Sequence, residues 1–306
     1  MERSEDAWIA AVAGRFPASG RVVVGVGDDV AAVRLGDRIA VLKTDTIVDG
    51  VDVRLAECGA DAAGRKAVAV CASDLAAAGA LPLAVLASVT LPRGTPFETF
   101  DALSAGLARG AREVGADVVG GDTGVADGPL VVAVSMLGEP GAMGVVTRRG
   151  ARPGDALSVT GALGGSILGR HLTFAPRLAA SQALVRRRIP HAMMDLSDGL
   201  LADLPRLCAA SGCGADVDAE RVPIHDDARR MTAGGDALAH ALGDGEDFEL
   251  LLAHAPLDAA TESDLAREGV VLVRIGTVTA AASGLRLLRG GKAEPLPRGG
   301  YDHLRG

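Results

Sequence analysis

The stretch Arg21-Val22-Val23-Val24-Gly25-Val26-Gly27-Asp28-Asp29-Val30 sets the pattern for the chain. A β-branched run reads as a strand, and two glycines then open a turn that carries adjacent carboxylates. Side by side, those carboxylates are either a surface turn or one corner of a cation site, because like charges kept together at a strand end need a counter-charge.

Outward from that corner the pattern recurs. Thr44-Asp45-Thr46 ends the run Arg38–Lys43, and Ser73-Asp74 interrupts a helix expected over Ala60–Ala78, with Gly79 as its stop. Gly121-Asp122-Thr123 breaks the strand begun at Asp117, and Asp195-Leu196-Ser197-Asp198-Gly199 follows a strand ending at Met194-Asp195. All five corners place a carboxylate beside Gly, Ser or Thr. Small neighbours admit a ligand to the backbone, and all-oxygen donors of this kind suit hard cations, Mg²⁺ above all, bridging to phosphate oxygens.

The remaining elements read in order. A short helix spans Asp6–Gly14, a strand Leu83–Leu91, and a helix Thr95–Val114 with Thr95 as its cap. A strand follows at Pro129–Leu137, and the Gly-, Pro- and Arg-rich segment Glu139–Gly154 marks a domain boundary. Ala156–Thr160, the glycine-rich Gly161–Gly169, a basic helix Arg177–Arg188, a helix ending near Ser211 and strands at Phe248–Ala253 and Val270–Val278 make up the second half. Strands grouped early with helix–strand alternation later indicate an α+β fold in two domains, residues 1–140 and 141–306. Gly161–Gly169 is open between a phosphate loop and a tight turn.

Composition narrows the function. With 306 residues, 48% hydrophobic but only 2% aromatic, the core must be built from Ala, Val and Leu. A net charge of −8 argues against nucleic acid as the partner. Four cysteines without CxxC spacing read as reduced thiols, which points to a cytoplasmic protein. The segment Met1–Phe16 carries acids and no long apolar core, unlike a signal peptide, and no run reaches membrane-spanning length. A GxxxxGK[ST] loop, a complete GxGxxG fingerprint and GxSxG are absent. Phosphates, if bound, must be held through metal-bridged carboxylates, with an arginine such as Arg148 assisting.

The motifs GVGDDVAAV, TDTIVDGV, GRKAVAVCASDLAAAGALP, GGDT, TRRGARPGD-x-x-x-VTG, MDLSDGLLADL and GEDFELLL occur in this order, with Gly300-Tyr301-Asp302-His303-Leu304 near the end. As an ordered set over nearly the whole chain, they resemble the thiamine-monophosphate kinase family of the aminoimidazole ribonucleotide synthetase-like superfamily. The resemblance implies an N-terminal α/β domain that binds metal and ATP and forms a homodimer through its sheet. It also implies a C-terminal α+β domain that closes over the nucleotide. The implied reaction is ATP- and Mg²⁺-dependent phosphorylation of thiamine monophosphate. By motif, Asp29, Thr44, Asp45, Asp74, Asp122, Asp195 and Asp198 fall at magnesium positions, with Asp29, Asp74, Asp122 and Asp198 the catalytic set. Gly121, Asp122, Arg148 and Ser197 fall at ATP positions, and Asp52, Glu246 and the Tyr301 ring at the acceptor. Asp52 stands where the family usually has His, and Lys43 where it has Ser or Thr. Both departures keep open a related ATP-using enzyme with another acceptor.

Overall fold

The computed structural model describes residues 5–16, 18–231, 236–302 and 304. The head of the segment Met1–Phe16, residues 1–4, and His303 of the C-terminal motif lie outside them. After helix α1 (Glu5–Ala13), the first half builds a six-stranded sheet from β1 (Val22–Val24), β2 (Ala31–Leu35), β3 (Arg38–Val48), β4 (Ala80–Pro92), β5 (Asp117–Ala126) and β6 (Val131–Pro140). Its order is β1-β2-β3-β6-β4-β5, with β4 and β5 parallel and the other neighbours antiparallel.

Helices α2 (Leu55–Ala77) and α3 (Phe97–Glu113) pack together, and the core cluster joins both to the sheet's inner residues. Val41, Val85, Val132 and Val134 of the sheet meet Ala67, Val68, Cys71 and Leu75 of α2 in that core. Few aromatics are needed because the helices come close. A Cβ on Gly106 of α3 would fall on the carbonyl of Asp61, so only glycine permits this approach.

The second half forms a seven-stranded sheet from β7 (Ala156–Val159), β8 (Pro190–Asp195), β9 (Cys213–Asp218), β10 (Leu250–His254), β11 (Val273–Ala280), β12 (Leu285–Arg289) and β13 (Lys292–Pro295). Its order is β13-β12-β9-β11-β7-β10-β8, antiparallel except for β9 beside β12. Helices α4 (Arg170–Thr173), α5 (Leu178–Arg186), α6 (Leu200–Ser211), α7 (Asp226–Met231), α8 (Ala237–Gly243) and α9 (Ala259–Arg267) accompany it. The fold is α+β, as the order of elements implies.

Helix α2 is the seam between the halves. Ala76 and Ala77 at its end share a core with Leu184 and Val185 of α5, Met193 of β8, and Leu250 and Leu252 of β10. From Ala63 to Ala77 this helix is almost uniformly buried, with Ala and Val dominating its faces.

Several local expectations differ from the structure. Thr44-Asp45-Thr46 lies inside β3, which runs on to Val48 because β6 pairs with it through Val48↔Val131. Gly120–Gly124 does not break β5, since parallel pairing with β4 continues to Pro92↔Ala126. Thr95 does not cap α3; its hydroxyl donates to Pro92 O at 2.7 Å, and Pro96 occupies the cap position. Helix α2 starts at Leu55, with a break at Gly59 (φ 78°). Strands β2, β9, β12 and β13 and helices α7 and α8 add elements that the sequence pattern left within loops.

Candidate active site

Three of the acidic corners converge. Asp29 comes from the turn before β2, Asp74 from α2 and Asp195 from the end of β8, and all three are buried. One carboxylate oxygen of each lies within 4.8 Å of the others. Cationic side chains frame them. Arg148 Nε and Nη2 both donate to Asp29 Oδ1, at 2.9 and 2.6 Å. Lys43, on the inner face of β3, places Nζ 3.0 Å from Asp74 Oδ1 and 3.7 Å from Asp45 Oδ2. Ser73, the polar companion of Asp74, donates to Asp195 Oδ2 at 2.6 Å.

The electrostatics follow from burial. Burial pushes Asp195 up to about 7, with Asp29 adding to the rise. Asp28 is pushed up to about 6 by burial and then by the Asp29 charge, against backbone donation from Arg148 and Asp29. Asp74 is raised well above the carboxylate range by burial, although Lys43 opposes the shift. For Lys43, burial alone would lower the ammonium; Asp74 and Asp45 override it and hold it protonated. Carboxylates crowded until they bind protons are carboxylates short of positive charge. Their donor atoms are all oxygens, the set a hard divalent cation takes, so Asp29, Asp74 and Asp195, with Asp45 adjacent, fit Mg²⁺ on chemical grounds.

Asp198 stands apart from that group. Arg206 Nη1 donates to Asp198 Oδ2 at 2.5 Å and to Asp203 Oδ1 at 2.8 Å, and Asp203 also accepts from the Asp198 N–H at 3.0 Å. Asp203 is fully buried and raised well above its usual range by that burial and the nearby Asp198. Ser197 contributes its carbonyl to the Glu246 N–H at 2.6 Å.

Thr44 and Asp122 project from the opposite face of the six-stranded sheet. Side chains alternate along β3, so Thr44 faces away from Lys43 and Asp45 and takes a hydrogen bond from Ser135 at 3.1 Å. Asp122 pairs with Ser88 in register and shares that outer face, exposed on an edge strand beside Gly121. Within one chain, neither joins the Asp29–Asp74–Asp195 group.

The acceptor candidates meet around another cation. Lys66 Nζ donates to the Asp52 carbonyl at 2.7 Å and to the carboxylate of Glu246. The Asp52 side chain accepts the Val48 N–H at 2.7 Å, closing the turn after β3. Tyr301 donates its N–H to Asp198 O at 2.9 Å, and its hydroxyl is raised by burial and then by Asp52, Asp198 and Glu246. Glu246 and Phe248 both hold positive φ, 64° and 51°, strain of a kind that gathers at functional segments.

Gly161–Gly169 resolves toward a turn. Gly164 N–H donates to Asp247 and Gly165 N–H to Asp244, so these amides are satisfied by the protein's own carboxylates. Lys66, Asp203 and Arg206 escaped the sequence reading. A lone lysine among Ala63, Ala67 and Val68 was the available signal for the first, since charge in an apolar helix must have a partner.

Known proteins resemble this chain over its length. The family description "AIR synthase related protein, N-terminal domain" matches residues 27–139, and its C-terminal counterpart matches 128–286. The thiamine-monophosphate kinase of Rhodopirellula baltica is 36% identical, over 98% of this chain and 97% of its own. That of Halobacterium salinarum is 38% identical, over 93% and 96%. The solved structure "AaThiL complexed with AMPPCP and TMP" superposes with a TM-score of 0.84 at 26% identity, covering 98% of this chain and 97% of its own. The chain belongs to the thiamine-monophosphate kinase family of the AIR-synthase-related proteins.

Proposed function

We propose that the protein transfers the γ-phosphoryl group of ATP to thiamine monophosphate, giving thiamine diphosphate and ADP. The observation that carries this reading is the convergence of Asp29, Asp74 and Asp195 within 4.8 Å beside Arg148, in a chain of this family. These residues, with Asp45, would hold Mg²⁺, which when bound supplies charge neutralisation at the phosphoryl oxygens. Asp198, paired with Arg206 beside Ser197, stands apart from this group and would contribute a further carboxylate toward the nucleotide. The acceptor is itself a phosphate, ionised at neutral pH, so no side chain need act as a strong base. The work left to the protein is alignment and charge: Arg148 offers a planar fork for phosphate oxygens, and Glu246 and Tyr301 orient the acceptor.

The Asp52 carboxylate accepts the Val48 N–H and so holds the turn after β3, a structural role that is compatible with thiamine monophosphate as the acceptor. Residues 1–140 act as the metal-, ATP- and dimer-forming unit and 141–306 as the unit closing over the nucleotide, a division supported by the two separate sheets. Leu42, Leu81, Leu83, Leu86 and Leu137 are exposed on strands of the six-stranded sheet, an apolar surface suited to a second copy of the chain. Pairing there would carry Thr44, Gly121 and Asp122 into the dimer, where Asp122 could serve a metal or nucleotide. Among the described residues no helix is long and apolar enough to cross a membrane. The four cysteines, all free in the structure, support our assignment of the protein to a reducing, cytoplasmic setting.

The test is an assay of pure protein with ATP, Mg²⁺ and thiamine monophosphate. Thiamine diphosphate and ADP form in equal amounts; ADP release that ignores the acceptor contradicts the reading.

A further inference from the structure

Lys66 is a fully buried cation in the middle of α2, between Arg65 and Ala67 on a helix otherwise rich in Ala and Val. Burying an ammonium is unfavourable unless it is paired, and here two acceptors satisfy it from opposite halves of the chain. One is the Asp52 carbonyl at 2.7 Å, fourteen residues away in the turn that follows β3; the other is the Glu246 carboxylate, 180 residues away.

Both partners are also held by hydrogen bonds of their own. The Asp52 N–H donates to Val48 O at 3.0 Å, its side chain accepts the Val48 N–H, and Asp49 Oδ1 accepts the Leu55 N–H at 2.8 Å. Glu246 is pinned through its backbone, with its N–H on Ser197 O and its carbonyl accepting the Ser166 hydroxyl at 2.6 Å. Its φ of 64° is a conformation that a residue with a Cβ holds only when the surroundings impose it. The Glu246 carboxylate remains partly exposed, and Lys66 fixes its direction.

We propose that Lys66 is a positioning residue for the acceptor: it locks the Val48–Val53 turn and the Glu246 carboxylate into one register across the seam, so that both meet the acceptor as a single surface. The proposal rests on thiamine monophosphate being the acceptor. Lys66 itself, being buried, touches no substrate.

The experiment compares wild type, Lys66→Met, Glu246→Gln and the double variant, with the KM for thiamine monophosphate and for ATP·Mg²⁺ read separately. Lys66→Met raises the acceptor KM about tenfold or more and leaves the ATP·Mg²⁺ KM within about twofold. In the Glu246→Gln background the same change costs less than in wild type, because part of its effect runs through the Glu246 carboxylate. Equal rises in both KM values, or strictly additive effects, overturn the proposal. Should Lys66→Met fail to fold, Lys66→Arg decides, since it keeps the charge but displaces the donor. An acceptor KM raised about threefold or more is expected, and both constants unchanged overturns the proposal. Amide exchange gives an arm that needs no substrate: in Lys66→Met or Lys66→Arg, residues 48–53 and 245–248 exchange faster together, with the amides of α3 unaffected. A wild type that ignores thiamine monophosphate sinks the function reading, while joint or separate loosening of the two segments still decides the coupling.

Discussion

Lys43 Nζ lies 3.0 Å from Asp74 Oδ1, inside the group of carboxylates that would hold a cation. The ammonium takes up charge that a divalent ion would otherwise neutralise. Once a metal displaces their protons, Asp29, Asp45, Asp74 and Asp195 against Lys43 and Arg148 leave two negative charges, which one divalent ion balances. Lys43→Thr removes the resident cation, and Mn²⁺ should bind the free protein about tenfold or more tighter, with an added site in a titration. An unchanged affinity and stoichiometry would mean that Lys43 lies outside the metal's field.

Asp195→Asn separates function from stability. Asp195 is buried and raised to about 7, so its ionised form opposes folding at neutral pH and above. The variant should lose about a hundredfold or more in kcat, while the metal-free protein melts at the same temperature or several degrees higher. Melting curves without Mg²⁺, taken beside initial rates, check both halves.

The pH dependence has a definite sign. Asp28 at about 6 and Asp195 at about 7 both sit above the ordinary 3.8. A carboxyl raised in the folded state contributes stability that is complete below its unfolded pKa and is lost as pH rises through the folded pKa. Metal-free protein should therefore lose stability between about pH 4 and 7. Mg²⁺ competes with those protons, so its thermal stabilisation should be larger at pH 8 than at pH 5. Equal Mg²⁺ shifts at both pH values would contradict the assignment.

Leu86 is 49% exposed on β4, on the outer face that Asp122 shares. Leu86→Glu puts a charge into the proposed dimer surface and should convert a dimer to a monomer in sedimentation velocity, with the far-UV spectrum unchanged. Persistence of a dimer would place the interface elsewhere.

Legibility tracked the range of the interaction. The turn at Gly25–Val30 and the polar pair in α2 are local patterns, and they flagged Asp29 and Asp74 before any geometry was known. The convergence of Asp29 with Asp195, 166 positions apart, came from the order of the motifs; no local propensity encodes it. Lys66 was missed because its partner Glu246 is equally remote and a single lysine in a helix is commonplace. The face of Asp122 was hidden for another reason: the glycines around it read as a turn, whereas pairing with β4 keeps the backbone extended and side-chain alternation aims Asp122 outward. Asp52 looked like a change of charge at the acceptor, yet its carboxylate is committed to the Val48 N–H.

The most direct test follows phosphorus rather than ADP. In ³¹P spectra of wild type with ATP, Mg²⁺ and thiamine monophosphate, the acceptor's monoester signal should give way to a diphosphate pair as the γ-phosphate of ATP disappears. Asp29→Asn, correctly folded by circular dichroism, should leave the spectrum unchanged. ATP consumed to inorganic phosphate with the monoester signal intact, or full turnover by Asp29→Asn, would contradict the account.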